Sequence, residues 1–106
     1  MTKPCNCLAE GPAKDSLREH IGIAQPGYAE IDLWTCKHCG ARWLHYFFEH
    51  EGFSGSQRAY AGFLGDASAP APNDAAALLN TLRPRFIWRW KEAHWEPYQG
   101  TIRQDL

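Results

Sequence analysis

The sequence predicts an α+β fold, a small antiparallel sheet of about four strands carrying one or two short helices. Three observations point there. Four separate segments read as strands, either by alternation at a period of two, as in Tyr28–Thr35, or by aromatic residues on both faces, as in Ala41–His50. One good helix runs through Ala75, Leu78, Leu79 and Leu82, and Pro84 ends it. The four cysteines fall into two close pairs, one near the start of the chain and one at a turn between two of the strand segments.

Length and composition bound the rest. A chain of 106 residues is one domain, 1–106, with a polar tail expected to loosen from about residue 100. At 44% hydrophobic and 22% charged residues the composition is that of a globular protein. The formal net charge of −1 removes any global electrostatic attraction to nucleic acid or to an anionic membrane, so only a local basic patch would support one. No run approaches the roughly 20 apolar residues that a membrane helix needs, and Met1 to Cys5 carries no apolar leader. The reading is cytoplasmic, a compartment in which thiols stay reduced and cysteine pairs bind metals more often than they form disulfides.

Along the chain, residues 1–13 read as an irregular arm with Pro4, Gly11 and Pro12. Asp15 or Ser16 suits the start of a short helix over Asp15–Ile21, stopped by Gly22 and Pro26. Tyr28–Thr35 alternates Ala29, Ile31 and Leu33 with Glu30 and Asp32 and reads as the first strand. Ala41–His50 is the second; Trp43, His45 and Phe47 share one face and Leu44, Tyr46 and Phe48 the other, as expected of a central strand covered on both sides. Gly52–Ser56 is a loop that only faintly has the outline of a nucleophile elbow. Gln57–Leu64 is the third strand. Asn73 or Asp74 suits the cap of a helix over Asp74–Leu82. Phe86–Trp90 is the fourth strand, although a helix over 84–95 satisfies the same residues and periodicity alone does not separate the two.

The chemistry-bearing motif is Cys5-x-Cys7 with Cys36-x-x-Cys39. Two short pairs bring four soft ligands to one tetrahedral metal ion while only one long loop has to close. Gly40, directly after Cys39, lets the backbone curl so that amide hydrogens face the thiolates. The expected cofactor is one zinc ion, held by Cys5, Cys7, Cys36 and Cys39. Four thiolates leave no open coordination position, so the ion is expected to be structural. His38 lies inside the knuckle and reads as a solvated turn residue. A thioredoxin-like redox pair at Cys36 and Cys39, with Trp34 nearby, is the competing reading; such a pair opens a helix, whereas Gly40 and the aromatic run after it favour a turn into a strand.

The segment Trp34-Thr35-Cys36-Lys37-His38-Cys39-Gly40-Ala41-Arg42-Trp43 resembles the knuckle of zinc-ribbon proteins. With Cys5-x-Cys7 added, the chain is similar to small uncharacterised bacterial proteins of zinc-ribbon type. The resemblance implies a structural metal and no activity. The first pair departs from it, because zinc ribbons carry two Cys-x-x-Cys knuckles.

Two surfaces carry readings of partners. Arg83, Arg85, Trp88, Arg89, Trp90 and Lys91 interleave cations with aromatic platforms, which suits single-stranded nucleic acid; the same pattern serves an edge strand with one wet, charged face. Trp95 and Tyr98 are candidates for an exposed aromatic surface that recognises another protein, as in small bacterial immunity or adaptor proteins, which this chain is similar to in size and charge. His45, Glu49 and His50 do not form a convincing second metal site, since His50 points away from the face shared by the other two. No catalytic constellation is present, so the expected function is a non-catalytic binding module. Protein recognition comes first, nucleic-acid binding second and thiol redox chemistry third.

Overall fold

The computed structural model describes residues 7–24, 29–48 and 58–102. They form a six-stranded antiparallel meander in which neighbours in sequence are neighbours in the sheet. The strands are β1 (Leu17–Ala24), β2 (Ala29–Thr35), β3 (Arg42–Phe48), β4 (Arg58–Phe63), β5 (Arg85–Arg89) and β6 (His94–Pro97). The helices are short: α1 (Cys7–Glu10), and α2 (Ala75–Leu79) entered through a 3₁₀ turn at Pro72–Asp74. This is a mostly antiparallel sheet with few helical turns, a small α+β architecture, and it has six strands rather than four.

The two added strands are where the expectations need correction. The stretch read as a helix over Asp15–Ile21 is instead β1, the first edge strand, paired with β2 from Leu17↔Thr35 to Ala24↔Ala29 with a bulge between His20 and Gly22. After Arg89 the chain turns through Trp90–Ala93, where the Ala93 amide donates to the Arg89 carbonyl at 2.7 Å, and returns as β6. The helix expected over Asp74–Leu82 is regular only over Ala75–Leu79. Beyond residue 100 the chain is still anchored, because the side chain of Asn80 exchanges two hydrogen bonds with the backbone of Ile102, at 2.8 and 2.9 Å. Glu49, His50 and the loop Gly52–Ser56 lie outside the described residues.

Cross-strand partners share a face, so the register assigns every side chain to one of two layers. On the first face Ile31, Tyr46, Tyr60 and Ile87 stand in line across four strands. There α2 sets Ala75, Ala76 and Leu79 against Ile31, Leu44 and Tyr46, forming one buried core. Arg85 belongs to this face, only 4% exposed, and donates to the carbonyls of Leu79, Tyr98 and Gly100. Its charge is met by three backbone acceptors, so it ties the C-terminal segment to α2.

On the second face Asp32, His45, Ala61 and Phe86 stand in line, flanked by Trp34↔Trp43↔Phe63 on one side and Trp88↔Trp95 near the far edge. Trp43 and Phe86 are fully covered and pack at 5.7 Å between ring centroids. The N-terminal arm lies over part of this face. The Trp95 indole donates to the Pro12 carbonyl at 2.9 Å, and Gly11 adopts φ 88° so close to Trp95 that a Cβ would stand 2.6 Å from the tryptophan Cβ. Only glycine fits there, both for its backbone and for the contact.

Candidate metal centre and aromatic cavity

Local hydrogen bonds build the cysteine cluster from two directions. At the β2–β3 turn the Cys36 amide donates to the Ala41 carbonyl at 2.8 Å, and the Gly40 amide donates to the Cys36 carbonyl at 2.9 Å. Gly40 takes φ 77°, the left-handed conformation that lets a knuckle close within four residues. From the arm, α1 begins at Cys7 and ends when the Gly11 amide donates to the Cys7 carbonyl at 2.8 Å. Cys7 and Cys36 are buried and Cys39 lies at the surface.

The three sulfurs lie within 4.8 Å of one another, and Cys7 Sγ is 3.5 Å from Cys39 Sγ. That distance is far beyond the ~2.05 Å of a disulfide. A tetrahedral zinc ion with sulfur at about 2.3 Å requires sulfur–sulfur edges of about 3.8 Å. The donor set therefore fits a thiophilic metal: Cys7, Cys36 and Cys39 can hold a metal ion as they stand. Their surroundings are dry, since Trp34, Trp43, Phe86 and Ala61 form the core around Cys7 and Cys36. A hydrophobic shell of this kind limits water at a bound ion. Cys5, the expected fourth ligand, lies outside the described residues. His38 is directed elsewhere: its Nε2 stands 3.6 Å from an Asp15 carboxylate oxygen, on the exposed side of the knuckle.

The stretch from Arg83 to Lys91 does not present a single basic surface. Arg83 donates to the carbonyls of Asn80 and Leu82, and Arg85 is buried on the first face. Arg89 pairs with Glu96 across the β5–β6 hairpin. Trp88 turns to the second face, while Trp90 and Lys91 stand in the exposed hairpin turn.

Those tryptophans border a feature that the sequence reading missed. Where the arm stops covering the second face, a cavity of about 300 Å³ opens, lined by Trp34, His45, Phe47, Ala59, Trp88, Trp90 and Trp95, with Lys14 and Arg18 at its rim. The Trp34 and His45 rings stack at 4.3 Å and 8°, and Trp95 meets both edge-on. The Arg18 guanidinium lies 4.0 Å above the Trp34 ring and the Lys14 ammonium 5.4 Å from Trp88. Among the described residues neither cation pairs with a carboxylate. Burial pushes the His45 imidazole down to about 4 from 6.5, a shift opposed by the Asp32 carboxylate and reinforced by Arg18, so the ring is neutral at physiological pH. Its Nδ1, and Nε1 of Trp34, are buried with no partner among the described residues. The Trp43-x-His45-x-Phe47 alternation was visible in the sequence, but the cavity also needs Arg18, which only the strand assignment of β1 brings opposite Trp34.

No family model, curated protein or solved structure matches the chain. Among the described residues, no helix is long and apolar enough to cross a membrane.

Proposed function

We propose that this chain is a non-catalytic binding module, stapled by one structural zinc ion, that recognises another protein through the aromatic edge of its second sheet face. The observation that carries the reading is one exposed tryptophan, Trp90, bordering an aromatic-lined cavity on a metal-competent scaffold. Trp90 is 50% exposed at the hairpin turn and touches Phe47 and Trp88, beside the cavity. Large rigid side chains held this way dominate protein interfaces. The thiol cluster supports the scaffold half of the proposal, because it joins the arm to the β2–β3 turn and packs in one core with Trp34, a wall of the cavity. Cys5 is the fourth ligand in this reading, because with Cys7 it completes two close cysteine pairs. With Cys5 as the fourth thiolate the tetrahedron is closed and leaves no position for catalytic water.

The test is a Trp90→Asp variant with an unchanged melting temperature. A partner retained from cell extract by the parent protein, lost by the variant and rebound as a purified protein supports the proposal. Equal binding by both proteins refutes it. Nucleic-acid binding stands second, favoured only by Trp88 and Trp90 near Lys14, Arg18 and Lys91; retention on single-stranded DNA that weakens with salt would promote it. Thiol redox chemistry stands third, and turnover of a disulfide substrate that depends on Cys36 would promote it.

A further inference from the structure

We infer that the partner presents an acidic, aromatic segment to this face: a ring that enters the cavity, flanked by carboxylates that meet Lys14 and Arg18. The inference rests on the protein-recognition reading and adds the chemistry of what is recognised.

Size comes first. A volume of about 300 Å³ stands at the low end of ligand pockets, enough for one large ring and too small for an extended cofactor. The walls match such a guest. Trp34, Trp88 and Trp95 already meet their neighbours stacked or edge-on, the geometries in which an added ring gains beyond simple burial. His45 adds a further flat wall, stacked on Trp34 at 4.3 Å and met edge-on by Trp95.

Charge sets the flank. Lys14 and Arg18 are exposed, lie over the Trp88 and Trp34 rings, and are neighbours, since the Arg18 guanidinium donates to the Lys14 carbonyl at 2.9 Å. No carboxylate among the described residues pairs with either of them. A segment with acidic residues next to its ring is attracted to this rim, and a basic one is repelled.

The experiment is selection from a random-peptide display library with the zinc-loaded protein, run in parallel with a Lys14→Glu/Arg18→Glu variant of matched melting temperature. Both positions are exposed, so the variant retains the sheet and its metal. The expected result is enrichment of peptides with a Trp, Tyr or Phe beside Asp or Glu, and a switch to Lys or Arg beside the ring for the variant. Replacing the acidic flank of a selected peptide by Asn or Gln should weaken binding to the parent protein by about three- to tenfold, the scale of two exposed ion pairs. Aromatic peptides enriched without acidic bias, or with a bias that the charge reversal leaves unchanged, overturn this inference and leave the protein-recognition reading standing. Absence of any enriched peptide overturns both. Dimerisation in solution that Trp90→Asp abolishes would assign the cavity to a second copy of the chain, and overturns the inference as well.

Discussion

Replacing His45 with Phe should make the protein markedly less sensitive to mild acid. The imidazole is buried on the second face and stacked on Trp34, and burial holds it down at about 4. In the unfolded chain it titrates at the ordinary 6.5. Between those values the unfolded chain takes up a proton that the folded chain refuses. Stability therefore rises with pH across this window, and it falls as pH drops below 6.5 until the folded group also protonates near 4. Integrated from pH 7 to pH 5, the loss from this one group is about 2 kcal/mol. A phenyl ring keeps the stack with Trp34 and cannot titrate. Urea denaturation of the metal-loaded parent and His45→Phe proteins at both pH values isolates the effect, because carboxylate titration and proton competition at the thiolates are shared and cancel in the difference. The parent should lose about 2 kcal/mol more than the variant. Equal losses, within the ~0.5 kcal/mol to which independent effects add, would refute the reasoning.

Three further outcomes follow from the structure. Cys36→Ser removes a buried thiol of the proposed metal site and should abolish metal binding and cost several kcal/mol, on the order of a small domain's whole stability; an unchanged melting curve would contradict the staple. Gly11→Ala forces a Cβ to within 2.6 Å of Trp95 at φ 88° and should cost roughly 2–3 kcal/mol, read by denaturant midpoint. Arg85→Met takes the guanidinium from the carbonyls of Leu79, Tyr98 and Gly100, of which Leu79 keeps the Leu82 amide, and should cost roughly 2–4 kcal/mol. In that variant hydrogen exchange should accelerate at the Ile102 amide before it does in β3.

The central strands were legible because burial on one or both faces imposes a period. Within the described residues, the segments Tyr28–Thr35, Ala41–His50 and Gln57–Leu64 differ from β2, β3 and β4 by at most one residue at an end. The edges were not legible. β1 reads Leu-Arg-Glu-His-Ile-Gly-Ile-Ala and is exposed along most of its length, so it has no alternation to detect, while Asp15 and Ser16 imitate a helix start. β6 is four residues long with Pro97 at its end, which suits only an edge. The same divide separates the two sites. The cysteine cluster showed itself through spacing, which survives any error in the strands. The cavity depends on the register that sets Arg18 opposite Trp34 and Trp88 opposite Trp95, and no local pattern encodes that.

The metal staple is tested most directly by native mass spectrometry of untagged protein purified without chelators. The expected result is a mass excess of one zinc ion in the folded protein, lost on denaturation, with four thiols then titrating. A folded protein without metal, two hydrogens lighter through a Cys36–Cys39 disulfide, would contradict the staple and turn attention to thiol redox chemistry.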